Sequence, residues 1–123
     1  MIDKNIMNKY TIYHNQNCSK SRQTLALLQD NKIEPNIILY LDNPPTLSEL
    51  AIVLKKLKLS AREIIRTSEA AYKENQLSNT TLSDEQLLNA IITTPKLLQR
   101  PIVVKGDQAI IGRPPESVLS LIK

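Results

Sequence analysis

The stretch that decides the fold spans residues 11–22 and reads TIYHNQNCSKSR. Its first residues, Thr11 to Tyr13, form a short apolar run typical of a strand, and from about residue 19 to 31 the apolar residues recur with helical spacing. Three of them are predicted on the inner face of that helix: Leu25, Ala26 and Leu28. The only cysteine, Cys18, therefore lies where a strand ends and a helix begins, the place where α/β sheets hold their sites.

The neighbouring segments extend this unit into a sheet. Residues 37–40 form a continuous apolar run of the kind found in buried parallel strands, so strand, helix and strand make a βαβ unit. Residues 102–105 and 108–111 flank a two-residue hairpin loop, Gly106-Asp107, and must be antiparallel. A last helix begins at Pro114-Pro115-Glu116 and is predicted to turn three residues inward: Val118, Leu119 and Ile122. The predicted fold class is α/β, with a four-stranded mixed sheet built from βαβ and ββα.

Residues 46–95, between these halves, are predicted as a helical insertion. Two capping-box patterns each open a helix: Thr46 with Glu49, and Ser83 with Gln86. Pro95 is expected to end the second helix, and a short helix is possible at 61–66. Because no linker divides the chain, we predict a single domain over 10–123, preceded by an N-terminal extension, 1–9.

Composition limits the kind of protein that this is. The chain of 123 residues has one cysteine, which excludes an internal disulfide, and lacks a secretory segment or a long apolar run. We therefore expect a cytoplasmic protein that does not enter a membrane. A net charge of +4 suits an anionic ligand, but four Tyr with no Phe or Trp, and dispersed basic residues, argue against nucleic acid. One His and one Cys are too few for a closed metal site, and no bound cofactor is expected.

Cys18 is the candidate nucleophile. A thiol at a helix N-terminus faces unpaired N–H groups and the positive end of the helix dipole, which lower its pKa from about 8.5 to roughly 3.5–7.5. His14 lies nearby in the sequence, and Ser19, Lys20 and Ser21 follow Cys18 directly. The alternatives are that Cys18 is an inert buried residue, that His14 is structural, and that the serines are only helix caps.

Three arginines outside this loop are candidates for binding an anion: Arg66, Arg100 and Arg113. The guanidinium is planar, stays charged and donates two parallel hydrogen bonds to a tetrahedral oxyanion. Two of these arginines precede a proline, which confines their backbone to extended geometry. Sequence spacing alone leaves open whether the three approach Cys18, lie at the surface or pair with nearby carboxylates.

Four blocks of sequence, in this order and at these separations, resemble the glutaredoxin-coupled arsenate reductase family. They are HNQNCSKSR from His14, SAREIIRT from Ser60, QRPIVV from Gln99, and IGRP from Ile111. The resemblance covers residues 10–123 and implies a thioredoxin-like fold with a helical insertion. It also implies that Arg100-Pro101 is a cis peptide.

The resemblance further implies the roles of the candidate residues. Cys18 is the nucleophile, Arg66, Arg100 and Arg113 bind the oxyanion, and His14 and Ser21 help to keep the sulfur ionised. The expected reaction is the reduction of arsenate to arsenite, with glutathione as co-substrate and glutaredoxin as partner, since a single cysteine cannot resolve its own adduct.

Two other functions stay open at this stage. One is a monothiol oxidoreductase that acts on glutathione mixed disulfides or on another anion. The other is a regulator resembling Spx, a thioredoxin-like protein that binds RNA polymerase. Its switch uses Cys-x-x-Cys, and Ser21 occupies the second cysteine position here.

Overall fold

The computed structural model describes residues 10–122 in two compact units. The first unit is formed by the described residues up to Asn43 together with those from Arg100 onward, and the second runs Pro44–Gln99. The predicted insertion, 46–95, lies within the second unit, and the prediction that all of this forms a single domain stays a prediction. The predicted extension, residues 1–9, lies outside the described residues.

The first unit contains the sheet. Its strands are β1 (Tyr10–His14), β2 (Asn36–Leu39), β3 (Ile102–Lys105) and β4 (Gln108–Ile111), in the order β2-β1-β3-β4. β1 pairs with β2 in parallel, and both β1 with β3 and β3 with β4 are antiparallel. The predicted four-stranded mixed sheet is therefore confirmed. Gly106 adopts a φ of +58° in the predicted hairpin, as type II′ loops require of their first residue.

Helix α1 (Ser19–Asp30) connects β1 to β2 and packs on the core of this unit. Leu28 is fully buried and Leu25 packs against the core, as predicted, but Ala26 is exposed and Thr24 is buried in its place. The inner face of the helix therefore differs from the predicted one, because it includes two polar residues, Ser21 and Thr24, beside Leu28. The buried core is formed by Tyr10, Ile12, Leu28, Ile33, Val103, Val118 and Leu121.

β2 does not match the expectation of a buried strand. It lies at one edge of the sheet, and Ile37 is 44% exposed. An apolar run shows that a segment suits a strand, but the sheet order decides how far it is covered.

The chain ends in a 3₁₀ turn (Pro115–Val118) and a short helix (Leu119–Ile122). Val118 is buried as predicted, and Leu121 is the deeply buried residue of the short helix, while Leu119 and Ile122 are only partly buried.

The second unit is helical. It contains α2 (Leu47–Leu57), α3 (Ala70–Glu74) and α4 (Asp84–Thr93), with 3₁₀ turns at Ala61–Ile64 and Pro95–Leu97. Both predicted capping boxes are present, and α4 ends before Pro95 as predicted. A third capping box, Ser60 with Glu63, was not predicted, and neither was α3. None of the helices in residues 10–122 is both long and apolar enough to cross a membrane.

Candidate active site

Cys18 lies at the N-cap position of α1, directly after the loop that leaves β1. Its backbone is extended (φ −99°, ψ 120°), and its N–H donates to the carbonyl oxygen of Asn15 at 3.0 Å. The side chain makes no capping hydrogen bond and is partly exposed. That exposure contradicts the alternative of an inert, fully buried thiol.

The surroundings of Cys18 favour its thiolate. Partial burial raises the pKa of the thiol, but the backbone N–H of Ser21, the guanidinium of Arg100 and the backbone N–H of Lys20 together outweigh it, so the net pKa is lowered. The helix N-terminus and one arginine thus supply the donors that a sulfur anion needs.

His14 and Ser21 form a buried pair beneath the cysteine loop. His14 Nδ1 lies 2.6 Å from Ser21 Oγ, and Ser21 Oγ also accepts from the backbone N–H of Asn15 at 3.1 Å. Burial, with the charge of Arg22, lowers the pKa of His14, so the imidazole is neutral at pH 7. The hydroxyl of Ser21 therefore forms hydrogen bonds with the imidazole of His14 and the backbone of Asn15, while the backbone N–H of Ser21 donates to the sulfur of Cys18.

Arg100 and Arg113 come together in the first unit. Both precede a proline through a cis peptide bond, as the resemblance implied for Arg100-Pro101. Arg113 Nη1 donates to the carbonyl oxygen of Arg100 at 3.2 Å, and the N–H of Gly112 donates to the carbonyl oxygen of Pro101 at 2.9 Å. These two hydrogen bonds hold the two arginine-proline segments side by side.

Gly112 allows this close arrangement. A Cβ atom at this position would lie 2.5 Å from Thr24 Oγ1 and 2.9 Å from Pro101 Cγ, and both distances are shorter than an ordinary van der Waals contact. Thr24 is fully buried on α1, so the glycine brings the segment that carries Arg113 against the helix that begins at Cys18.

Arg66 belongs to the second unit. Its backbone N–H donates to the carbonyl oxygen of Leu97 at 2.7 Å, and its Nη1 forms an ion pair with Glu69 Oε2 at 3.4 Å. The role that the resemblance implies for Arg66 stays a prediction.

Tyr40 is a further residue of this region that sequence reasoning assigned only to an apolar strand. It follows β2, and the register that pairs His14 with Leu39 sets it beside Asn15 at the carboxyl edge of the sheet. Its side chain is fully buried. Burial raises the pKa of Tyr40, although Arg100 and Asn15 are close enough to oppose that shift. The signal in the sequence was its position, one residue past a parallel strand next to the strand that leads to Cys18.

Known proteins resemble this chain over nearly its whole length. A model of the ArsC family matches residues 13–121. The chain is 50% identical over 112 residues to YfgD, an uncharacterized protein of Escherichia coli K12, covering 90% of this chain and 94% of that one. It is 47% identical over 112 residues to an arsenate reductase of Haemophilus influenzae, covering 90% and 97%.

A solved structure agrees with these relatives. The arsenate reductase from Vibrio cholerae matches with a TM-score of 0.88 and 47% identity, covering 90% of this chain and 95% of that chain. This likeness confirms the thioredoxin-like fold that the resemblance implied.

Proposed function

The chain belongs to the ArsC family, and from that premise we propose that it is an arsenate reductase whose nucleophile is Cys18. One observation carries the proposal: a partly exposed thiol of lowered pKa has the guanidinium of Arg100 beside it. A thiolate is the reactive form of cysteine, and an arginine suits a tetrahedral oxyanion. Relatives named arsenate reductase at 37–47% identity support the choice of substrate.

In the first step the Cys18 thiolate attacks the arsenic of arsenate. A sulfur–arsenic bond forms, the bond from arsenic to one hydroxyl group breaks, and that hydroxyl takes up one proton and leaves as water, so the arsenic remains As(V). Arg100 and Arg113 hold the other oxygens and balance their charge in this proposal, and the resemblance implies the same role for Arg66. The backbone N–H groups that lower the pKa of Cys18 keep the attacking sulfur ionised.

The second step is the reduction, and it needs an outside thiol because the chain has one cysteine. The thiolate of glutathione attacks the sulfur of Cys18 in the adduct. A disulfide bond forms, the sulfur–arsenic bond breaks, and its electron pair stays on arsenic, which leaves as arsenite, As(III). A glutaredoxin thiolate then attacks the glutathione sulfur and returns the Cys18 thiolate.

His14 and Ser21 act on the sulfur in this proposal by holding the loop that carries it. Their mutual hydrogen bond and the bond from Asn15 to Ser21 fix the start of α1, where the donors to the thiolate lie. Both proposed reductants are thiols of a reducing compartment, so the proposal includes a cytoplasmic location.

The test is a coupled assay with arsenate, glutathione, glutaredoxin, glutathione reductase and NADPH, in which both arsenite formation and NADPH oxidation are followed. We expect turnover by the natural protein, loss of turnover in Cys18→Ser, and little change in Gln23→Ala, an exposed residue on the same helix. Omission of glutaredoxin should leave the mixed disulfide on Cys18, detectable as a mass increase of one glutathione.

A protein with a reactive Cys18 that never forms arsenite would contradict the proposal. Reduction of glutathione mixed disulfides in its place would identify a monothiol oxidoreductase, and a stable complex with RNA polymerase would identify a regulator.

A further inference from the structure

Two buried donor atoms have no partner in the described part of the chain: Tyr40 Oη and Arg100 Nε. Tyr40 Oη makes no hydrogen bond of acceptable geometry within residues 10–122, although Asn15 and Arg100 are near it. Buried polar groups in folded proteins are nearly always paired, because an unpaired one loses its bonds to water without replacement. These two donors therefore require an explanation.

Both donors belong to the same edge of the sheet. β1 and β2 are parallel, and His14 pairs with Leu39, so Tyr40 follows the carboxyl end of β2 just where the cysteine loop leaves β1. β3 is antiparallel to β1, and Tyr13 pairs with Ile102, so Arg100 precedes β3 at this same edge. The thiolate of Cys18 and the guanidinium of Arg100 are both close enough to influence the ionisation of Tyr40.

The chemistry of the pair selects the missing partner. Arg100 Nε is a permanent donor, and the tyrosine hydroxyl keeps its proton because burial raises its pKa. Two donors beside a nucleophilic sulfur suit an acceptor with several oxygens. A tetrahedral oxyanion is such an acceptor, since separate oxygens accept from each donor while the central atom faces the sulfur.

We propose that the Tyr40 hydroxyl donates a hydrogen bond to the oxyanion that binds at Cys18, as a substrate-binding residue in addition to the arginines. The proposal rests on the proposed function, which brings an oxyanion to this position. In the free protein the hydroxyl lacks an acceptor, and in the complex it gains a charged one. Its contribution is therefore to affinity for the anion and not to the stability of the free fold.

The test compares Tyr40→Phe with a matched control, Tyr10→Phe, and the natural protein. Tyr10 is also a buried tyrosine, but it lies at the opposite end of β1, where its hydroxyl donates to the carbonyl oxygen of Leu121 at 3.5 Å. The dissociation constant for arsenate is measured by calorimetry on the reduced proteins without glutathione. Thermal unfolding of each protein is measured without ligand.

We expect the dissociation constant of Tyr40→Phe to rise about tenfold or more, the effect of losing one hydrogen bond to a charged group. Its melting temperature should stay the same or rise, because the variant removes an unpaired buried hydroxyl. Tyr10→Phe should keep the affinity for arsenate. In the coupled assay the loss in Tyr40→Phe should appear mainly in KM.

Equal affinity of Tyr40→Phe and the natural protein would overturn the proposal, and would point to buried water as the partner of the hydroxyl. A lower melting temperature in Tyr40→Phe with unchanged affinity would overturn it too, since the hydroxyl would then stabilise the free fold. If the natural protein binds arsenate without reducing it, and Tyr40→Phe weakens that binding, the proposed function fails while this inference stands. If the natural protein and Tyr40→Phe both reduce arsenate with the same KM, the proposed function stands and this inference fails.

Discussion

Substitution of Gly112 by alanine should destabilise the protein through one identifiable contact. The new Cβ would lie 2.5 Å from Thr24 Oγ1, 2.9 Å from Pro101 Cγ and 3.0 Å from Thr24 Cγ2. Overpacking of this kind costs about 1–3 kcal/mol. The backbone of Gly112 lies outside the left-handed region, so alanine can adopt it. The lower conformational entropy of the unfolded variant therefore offsets about 0.4–1 kcal/mol of this cost. Because two of these contacts are shorter than 3.0 Å, we expect a cost in the upper half of the overpacking range and a net loss of about 1–2.5 kcal/mol in the free energy of unfolding.

The contact with Thr24 predicts a specific rescue. Thr24→Ala removes two of the three nearest atoms, so the double variant should be more stable than the sum of the single effects by about 0.5 kcal/mol or more. Thr24→Val keeps the branched shape and should rescue nothing. Urea unfolding of the natural protein, the single variants and both double variants measures each term. Arsenate reduction should fall in Gly112→Ala, because the segment with Arg113 moves away from α1.

Additivity would refute this reasoning. If Gly112→Ala and Thr24→Ala combine to within about 0.3 kcal/mol, the two residues are not coupled. A Gly112→Ala variant as stable as the natural protein would show that the segment moves at no cost.

Two more predictions concern ionisation at the site. Arg100→Met should raise the pKa of Cys18, because it removes a charge and a hydrogen bond that favour the thiolate. The pH dependence of alkylation by iodoacetamide measures this pKa, and the control Lys96→Met, at an exposed site, should leave the profile unshifted. An unshifted profile in Arg100→Met would contradict the prediction. His14 has a folded pKa below its ordinary 6.5, so the unfolded chain binds more protons below that pH and stability should fall as the pH drops from 6.5. Urea unfolding at pH 7.5 and 5.5 should show a smaller loss in His14→Gln, and equal losses would disprove the assignment.

Local signals in the sequence were enough for most of the sheet and its connections. The apolar run before His14, the helix after Cys18 and the hairpin at Gly106 each depend on neighbouring residues, and each is confirmed. The capping boxes at Thr46 and Ser83 are likewise short-range patterns, and both are present. The five-residue α3 has no such pattern, since Glu69 at its N-cap makes no side-chain capping hydrogen bond and none of its five residues is buried.

Burial could not be predicted in the same way. Thr24 is buried and Ala26 is exposed, the reverse of what their hydrophobicity predicts, because Thr24 packs where Gly112 approaches the helix. Ile37 is exposed because β2 is an edge strand, which only the strand order determines. The burial of the Tyr40 hydroxyl beside Arg100 could not be predicted either, since it depends on the approach of residues that are 60 positions apart in the chain.

The position of β2 at the edge of the sheet also bears on self-association. An edge strand offers unpaired backbone groups to a strand of another molecule, and an exposed isoleucine such as Ile37 increases that risk of aggregation. β2, however, is only four residues long, Pro35 precedes it, and the chain turns away after Leu39. A strand added there would gain few hydrogen bonds before the template ended, so the shortness of β2 protects the molecule from growing into an extended sheet.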